Sequence, residues 1–584
     1  MADEAHSVEA SGGAAGTGKR ASHAEGTVKD TLISMVISLA MALVAKAYVV
    51  EAFVIPTGSM APTLLGQHMR FQSEETGYEW TVNPWHYLPG NERPFSIQGR
   101  AQGVNGRIMN TPLPVVTDPM STSRANGLVS PGDFVGNSLP VRVLGLRAGF
   151  TPEPQEQRTR TGDRILVHKY LYHVLDPQRY DVVVFKNPEN ARENYIKRLI
   201  GLPNEQVVLV DGDVFTRPGS MDESGAFTPD AGTDGAWRIQ RKPTRVQRAV
   251  WAPIFSSEYT PLRPVRSTQQ WFTSPWQGRG WDTNNGRTYR SETAEPTVLA
   301  WDTEAWPIND WTPYNETPRS GWPAMARYAT SDLRVRAGVR ADVDGLRVST
   351  SIRARQHEFE AVIEDGQARL RMRPVDGAWA DLGSPVEVRS FAPGRIVDVE
   401  FWHVDQALRL YVGGRLVTQA TYDWTPSERM QFVTGLSANA DRNGDVTMNL
   451  RNPLNFKHAL PEVRWTFSGS PVTLFRVGLD RDLYYRAAWY RGGTGPAGLG
   501  TRLSKPVSLD ADEFFCLGDN SAASKDGRLW ELIDPSVEYA VPGLRPGVVH
   551  RRLMLGKAFF VYWPSTHQWK GIPVPNFGDV RFIR

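Results

Sequence analysis

The stretch Gly162–Val210, GDRILVHKYLYHVLDPQRYDVVVFKNPENARENYIKRLIGLPNEQVVLV, decides what kind of fold this chain adopts. It contains four short runs rich in Val, Ile, Leu and aromatic residues: Arg164–Tyr172, Asp181–Lys186, Asn194–Ile200 and Glu205–Val210. Asp176-Pro177 and Gly201-Leu202-Pro203 punctuate them. Apolar runs of this length, bounded by turn residues, predict strands joined by tight connections. Along the third run, alternation sends Lys197 to the face opposite Ile196 and Arg198, so Lys197 is expected to be buried while Arg198 stays solvated. Burial disfavours an ammonium and moves its pKa toward neutrality, where a lysine can act as a base.

The same pattern continues outward. Upstream, Val54–Leu65 reads as a short strand, a turn and a short apolar run. Downstream, FFCLGDN at Phe514–Asn520 and KAFFVYW at Lys557–Trp563 read as further strands. Fifty-two Gly and 42 Pro in 584 residues supply many turns, and the length suggests about four folding units. A formal net charge of +3 gives no reason to expect a nucleic-acid partner. One cysteine, Cys516, excludes an intramolecular disulfide and a Cys-rich zinc site. Without a base motif around it, Cys516 reads as a small buried apolar residue.

Residues 1–30 have the composition of a solvated, cytoplasmic tail. Thr31–Val50 carries no charge before Lys46, and twenty residues at about 1.5 Å each match a bilayer core of about 30 Å. Its apolar residues run all round the helix, unlike a half-buried soluble one. The bulky Glu51-Ala52-Phe53-Val54-Ile55-Pro56 that follows does not suit a cleavage site, so the segment is expected to stay as an anchor. Lys19, Arg20 and Lys29 precede it, and Glu51–Met69 holds no Lys or Arg. The N-terminus is therefore expected inside and the large remainder outside, on a single-pass membrane protein.

Three motifs can carry chemistry. Pro56-Thr57-Gly58-Ser59-Met60-Ala61-Pro62-Thr63-Leu64 resembles the serine box of type I signal peptidases. Tyr195-Ile196-Lys197-Arg198-Leu199-Ile200-Gly201-Leu202-Pro203 is similar to their lysine box, and Gly518–Arg528 to their third box. Gly162–Tyr170 also fits the family, and all four segments occur in the family's order. The resemblance implies a serine endopeptidase that needs no metal or organic cofactor. Ser59 would be the nucleophile and Lys197 its base. The Ser59 N–H and the Thr57 hydroxyl would hold the oxyanion, and Gly58 would let the backbone turn sharply. Ser524 matches the serine that holds the lysine nitrogen. Asp526 and Arg528 match a supporting carboxylate–guanidinium pair, with Asp519 beside them in the same box. Ser521, Lys525 and Gly527 depart from the family pattern, which usually has Arg at the first of these.

Phe53–Thr57 reads as an exposed strand to which an extended substrate could add. Phe53, Ile55, Met60, Leu64, Tyr195 and Ile196 fall where the family lines its pockets, which implies cleavage after small residues. The expected substrates are preproteins bearing signal peptides, presented from the same lipid bilayer. The expected fold is mainly β: a discontinuous antiparallel β catalytic domain (51–69, 160–218 and 505–584) behind one N-terminal transmembrane helix at 31–50. Residues 70–159 form an insertion of unknown role. Residues 219–504 form a second, in which about 325–465 looks like a concanavalin or laminin-G jelly roll. Its paired strands turn at Asp365-Gly366 and Gly413-Gly414. This insertion is expected to be an accessory that cleavage does not need. Nine tryptophans between Trp237 and Trp322 either stack on a glycan or envelope ligand or fill a core. The rival function is a catalytically inactive scaffold presenting the sandwich, against which the retention of all three boxes speaks. Self-cleaving repressors, another Ser–Lys class, are disfavoured by the anchor.

Overall fold

The computed structural model describes residues 29–41, 49–73, 76–82, 119–120, 141–143, 160–222, 224–231, 236–260, 274–283, 287–304, 306–315, 328–389, 391–436, 460–487, 497–569 and 572–584. Over these the chain is mainly β. The four runs become the strands Arg164–Lys169, Val182–Asn187, Asn190–Gly201 and Glu205–Val210. The first three join an eight-stranded sheet with Val50–Val54 from upstream and Glu513–Leu517, Val549–His550, Met554–Trp563 and Arg581–Phe582 from downstream. Its pairings are antiparallel throughout. Val50–Val54 lies at one edge and, among the described residues, pairs only with Arg164–Lys169.

Alternation along Val182–Asn187 feeds two cores. Val183 and Phe185 pack with Leu199, Phe515 and Leu517, while Val182 and Val184 pack with Ile55, Met60, Leu64 and Ile196. Both faces of the sheet are therefore covered. For this reason Arg198 is not solvated, contrary to the expectation from alternation: it is fully buried, and Asp519 neutralises it through two hydrogen bonds of 2.7 Å. The fourth run, Glu205–Val210, leaves this sheet. It heads a five-stranded one with Asp213–Met221, Phe227–Pro229, Arg238–Ile239 and Val507–Leu509.

The excursion after residue 69 leaves and returns between His68 and Arg160, which exchange backbone hydrogen bonds. Of it, Met69–Ser73, Glu79–Val82 and Val141–Val143 make a small three-stranded sheet, and most of 83–159 lies outside the described residues. The second excursion is a β-sandwich of two eight-stranded sheets around one core. It is wider than the 325–465 read from the meander, because Ala252–Ser256, Thr288–Ser291, Thr297–Trp301 and Val472–Arg481 also belong to it. Three of these strands have only four or five residues, too few to display an alternation. The hairpins turn at Asp365-Gly366 and Gly413-Gly414, where all four residues have positive φ. Trp251, Trp276, Trp301 and Trp306 are buried, so these rings fill cores rather than face a ligand; Trp271 and Trp322 lie outside the described residues.

Ion pairs bolt the sandwich to the Glu205–Met221 hairpin. Arg355 meets Asp211 at 2.7 Å and Asp332 at 2.6 Å, and Arg429 reaches both Asp211 and Asp213. Lys242 lies 2.5 Å from Asp405 and 2.7 Å from Asp482. The carboxylates of Asp213, Asp332, Asp405 and Asp482 come within 4.8 Å of one another. Three fixed cations stand among them and make the cluster an electrostatic joint, while burial and the crowding of carboxylates raise the pKa of Asp213 and Asp482.

Residues 29–41 are helical, with Leu32, Met35, Val36, Leu39 and Met41 exposed. The rest of the expected membrane segment up to residue 48 lies outside the described residues. Among the described residues no helix is long and apolar enough to cross a membrane.

Candidate active site

The serine-bearing turn is fastened at both ends by Gly162-Asp163. The Ile55 N–H donates to the Asp163 carbonyl at 2.9 Å, and the Asp163 N–H donates to the Leu65 carbonyl at 2.8 Å. The Asp163 carboxylate accepts from the Leu65 N–H at 3.1 Å. Gly162 must be glycine, because a Cβ there would sit 1.9 Å from the Ile55 oxygen. Between these ties, Gly58–Met60 forms one 3-10 turn. Gly58 was expected to serve a sharp backbone turn. It has no positive φ, and its smallness instead admits the Tyr314 ring, whose Cε1 would lie 2.0 Å from a Cβ.

Ser59 is half-buried on this turn. Lys197 Nζ donates to Ser59 Oγ at 2.8 Å, across 138 residues of sequence. Lys197 is 3% exposed, and loss of hydration on burial holds its pKa down at about 8, although Asp526 and Asp519 pull it upward. Its nitrogen also lies 5.0 Å from the centre of the Tyr195 ring. A lysine so placed is neutral in a substantial fraction near pH 8, and its lone pair can then take the serine proton. Thr57 precedes the 3-10 turn in extended conformation, half-buried, and its hydroxyl makes no capping bond to the turn.

The third box packs directly beneath. Asp526 and Arg528 form a bidentate pair at 2.9 and 2.8 Å, and the Gly518 N–H donates to Asp526 at 3.0 Å. Ser524 is fully buried beside Gly518, whose smallness accommodates it. Its hydroxyl makes no hydrogen bond to Lys197, and its oxygen has no partner among the described residues. The three departures each have a local cause. Ser521 Oγ accepts from Arg528 at 2.6 Å and from the Arg486 N–H at 2.8 Å, two bonds that its short hydroxyl side chain makes at once. Lys525 pairs with Glu189 at 2.6 Å. At Gly527 a Cβ would press on the Gly547 oxygen at 2.6 Å. Cys516 is buried, which pushes its thiol pKa up and away from reactivity.

Of the residues expected to line substrate pockets, Ile55, Met60, Leu64 and Ile196 are buried in the core under the turn. Phe53 and Tyr195 are half-buried, and Val54 and Pro56 face outward beside the open sheet edge. Sequence reasoning missed several contributors. Asn520 donates its backbone N–H to the Ser59 carbonyl at 3.0 Å and its side-chain amide to the Gly58 carbonyl at 2.9 Å. Tyr314, Asn315 and Arg486 arrive from the insertion that was expected to be a detachable accessory. Asn520 stood in a quoted box and could have been found there; nothing in the sequence marks the other three.

Comparison with known proteins agrees with the motifs. Residues 153–230 match the family described as signal peptidase, peptidase S26. The chain is 31% identical over 101 residues to "Probable signal peptidase I-2" of Synechocystis, which is 16% of this chain and 46% of that protein. It is 29% identical over 140 residues to signal peptidase I of Leptolyngbya laminosa, 22% of this chain and 67% of the relative. With signal peptidase I of Rickettsia akari it shares 34% identity over 104 residues, 17% of this chain and 38% of that one. The chain thus spans about two fifths to two thirds of the length of these curated relatives. Among solved structures, a carbohydrate binding module from Bacillus subtilis aligns with 35% of this chain and 96% of its own at 9% identity, with a TM-score of 0.21.

Proposed function

We propose that this chain, a relative of the type I signal peptidases, is a membrane-anchored serine endopeptidase that removes signal peptides from exported preproteins. The observation that carries the reading is the 2.8 Å contact between Ser59 Oγ and the nitrogen of a buried lysine whose pKa is lowered to about 8. With the amine neutral, the hydroxyl donates its proton to Nζ as Oγ attacks the scissile carbonyl carbon. The carbonyl oxygen becomes an oxyanion that accepts hydrogen bonds donated by the Ser59 N–H and the Thr57 hydroxyl; loss of one such donor typically costs about 10²–10³ in rate. The protonated Lys197 then gives its proton to the leaving amine nitrogen as the C–N bond breaks. Water, deprotonated by Lys197, hydrolyses the acyl ester and restores Ser59. The paired Asp526–Arg528 and the buried Arg198–Asp519 keep the loop and the lysine strand in place.

The substrate would lie extended along the open edge of Val50–Val54, adding a strand to the sheet. Phe53 and Tyr195 would bound shallow sites for small side chains, floored by the buried Ile55, Met60, Leu64 and Ile196. Thr31–Val50 would hold the protein in the bilayer that also holds the signal helix, with the N-terminus cytoplasmic. The test is cleavage of a preprotein by the purified full chain. Wild type should release the signal peptide, while Ser59→Ala and Lys197→Met, both folded, should not. The double variant should be no worse than either single, because the two groups act as a unit. Substantial turnover by Lys197→Met would remove Lys197 as the base. Inactive wild type against several preproteins would favour the scaffold reading.

A further inference from the structure

We infer that Tyr314 and Asn315, carried by the sandwich insertion, are positioning residues for Ser59, so that the insertion completes the active-site turn instead of riding beside it. The inference rests on the reading of Ser59 as nucleophile. Asn520 is the only described residue that bonds both carbonyls of the Gly58–Ser59 pair, and it is itself buried. Its side-chain amide is gripped from the insertion by a reciprocal pair. Asn315 Nδ2 donates to Asn520 Oδ1 at 2.7 Å, and Asn520 Nδ2 donates to Asn315 Oδ1 at 2.7 Å. Both Asn520 amide hydrogens are thereby used, one on Asn315 and one on Gly58, and the plane of the amide is fixed.

Tyr314, the neighbouring residue, lies against Gly58 with no space for a single added carbon, and its hydroxyl donates to the Gln67 carbonyl at 3.2 Å. It therefore spans the turn from Gly58 to the strand that leaves it. The base of this arm is anchored as well: Asp310 pairs with the buried Arg486, whose backbone N–H donates to Ser521 in the third box. Ser521, one of the departures from the family pattern, is thus itself a contact between the third box and the insertion. A nucleophile must be held within a fraction of an ångström of its attack geometry, and misplacement by about 1 Å can cost about 10²-fold. An amide pair that orients the residue holding both flanking carbonyls sets that geometry without touching the reacting atoms.

The test uses the full-length chain with Asn315→Ala, Asn520→Ala, the double variant, and Asn315→Asp, which keeps an acceptor for Asn520 Nδ2 but no donor. Two readouts are taken: kcat and KM on a preprotein, and hydrogen exchange of the peptide spanning residues 57–64. Asn315→Ala should lower kcat about tenfold with KM changed less than twofold, and speed exchange of that peptide. Asn315→Asp, which sets a carboxylate oxygen against Asn520 Oδ1, should lose at least as much as Asn315→Ala. Asn520→Ala should lose at least as much as Asn315→Ala, and the double variant should be no worse than Asn520→Ala. Unchanged kcat in Asn315→Ala, unchanged exchange, or losses that multiply in the double variant would overturn the inference. If wild type itself cleaves nothing, the peptidase reading fails separately, and the exchange result alone decides whether the insertion holds the turn.

Discussion

Lys197→Met should make the protein more stable at neutral pH, and the advantage should vanish as the pH rises. The fall of the Lys197 pKa from its ordinary 10.5 to about 8 corresponds to about 3 kcal/mol, at about 1.4 kcal/mol per pH unit. Below pH 8 the lysine is protonated in both folded and unfolded chains, so the folded state carries the full cost of a buried ammonium. Between pH 8 and 10.5 the unfolded chain keeps the proton and the folded chain has released it. Unfolding then takes up a proton, and wild-type stability rises with pH. Above 10.5 both states are neutral and the cost is gone. Methionine has similar reach and no charge, but it forfeits the bond to Ser59, worth about 1 kcal/mol. The net gain at pH 7 is therefore about 2 kcal/mol, turning into a small deficit above pH 10. Thermal or urea unfolding of both chains in the same detergent from pH 7 to 10.5 measures the difference, in which every other titrating group cancels. A difference that stays flat with pH, or one that favours wild type at pH 7, would refute a desolvated lysine at this position.

Preprotein cleavage should rise about tenfold in kcat/KM between pH 7 and pH 9, following the neutral fraction of a base with pKa about 8, and a profile falling over that range would exclude lysine as base. Asp519→Asn should destabilise the fold by about 3–5 kcal/mol, since it leaves the fully buried Arg198 without its counter-ion; a melting temperature within a degree of wild type would contradict that role. Removing residues 1–50 should abolish co-flotation with liposomes while leaving cleavage of a soluble peptide, and retained flotation would place the anchor elsewhere. Replacing residues 219–504 with a short turn should cost at least as much kcat as Asn315→Ala in any variant that folds, and full activity would detach the sandwich from the site.

What could be read from the sequence was whatever is local. Ser59, Lys197 and the Asp526–Arg528 pair sit in boxes a few residues long, and the hairpins at Asp365-Gly366 and Gly413-Gly414 are specified by adjacent residues whose φ is positive. The failures share a different physics. Alternation tells which face a side chain takes but not whether that face is covered. Arg198 was read as solvated because its cover, Asp519, lies 321 residues away. The tryptophan strands Trp276–Gln277 and Trp281–Asp282 have two residues each, below the length at which any period can be counted. The same limit hides the contacts that the insertion makes with the site. The insertion carries no motif, yet Asn315 bonds Asn520 because the sandwich delivers it. Two sets of long-range bonds, Arg355 and Arg429 to the Glu205–Met221 hairpin and Arg486 to Ser521, fix where that sandwich stands. An insertion this firmly seated is a natural source of positioning groups. Each bond that orients the sandwich also limits how far Asn315 can drift from Asn520, and so how far Gly58 and Ser59 can drift from Lys197.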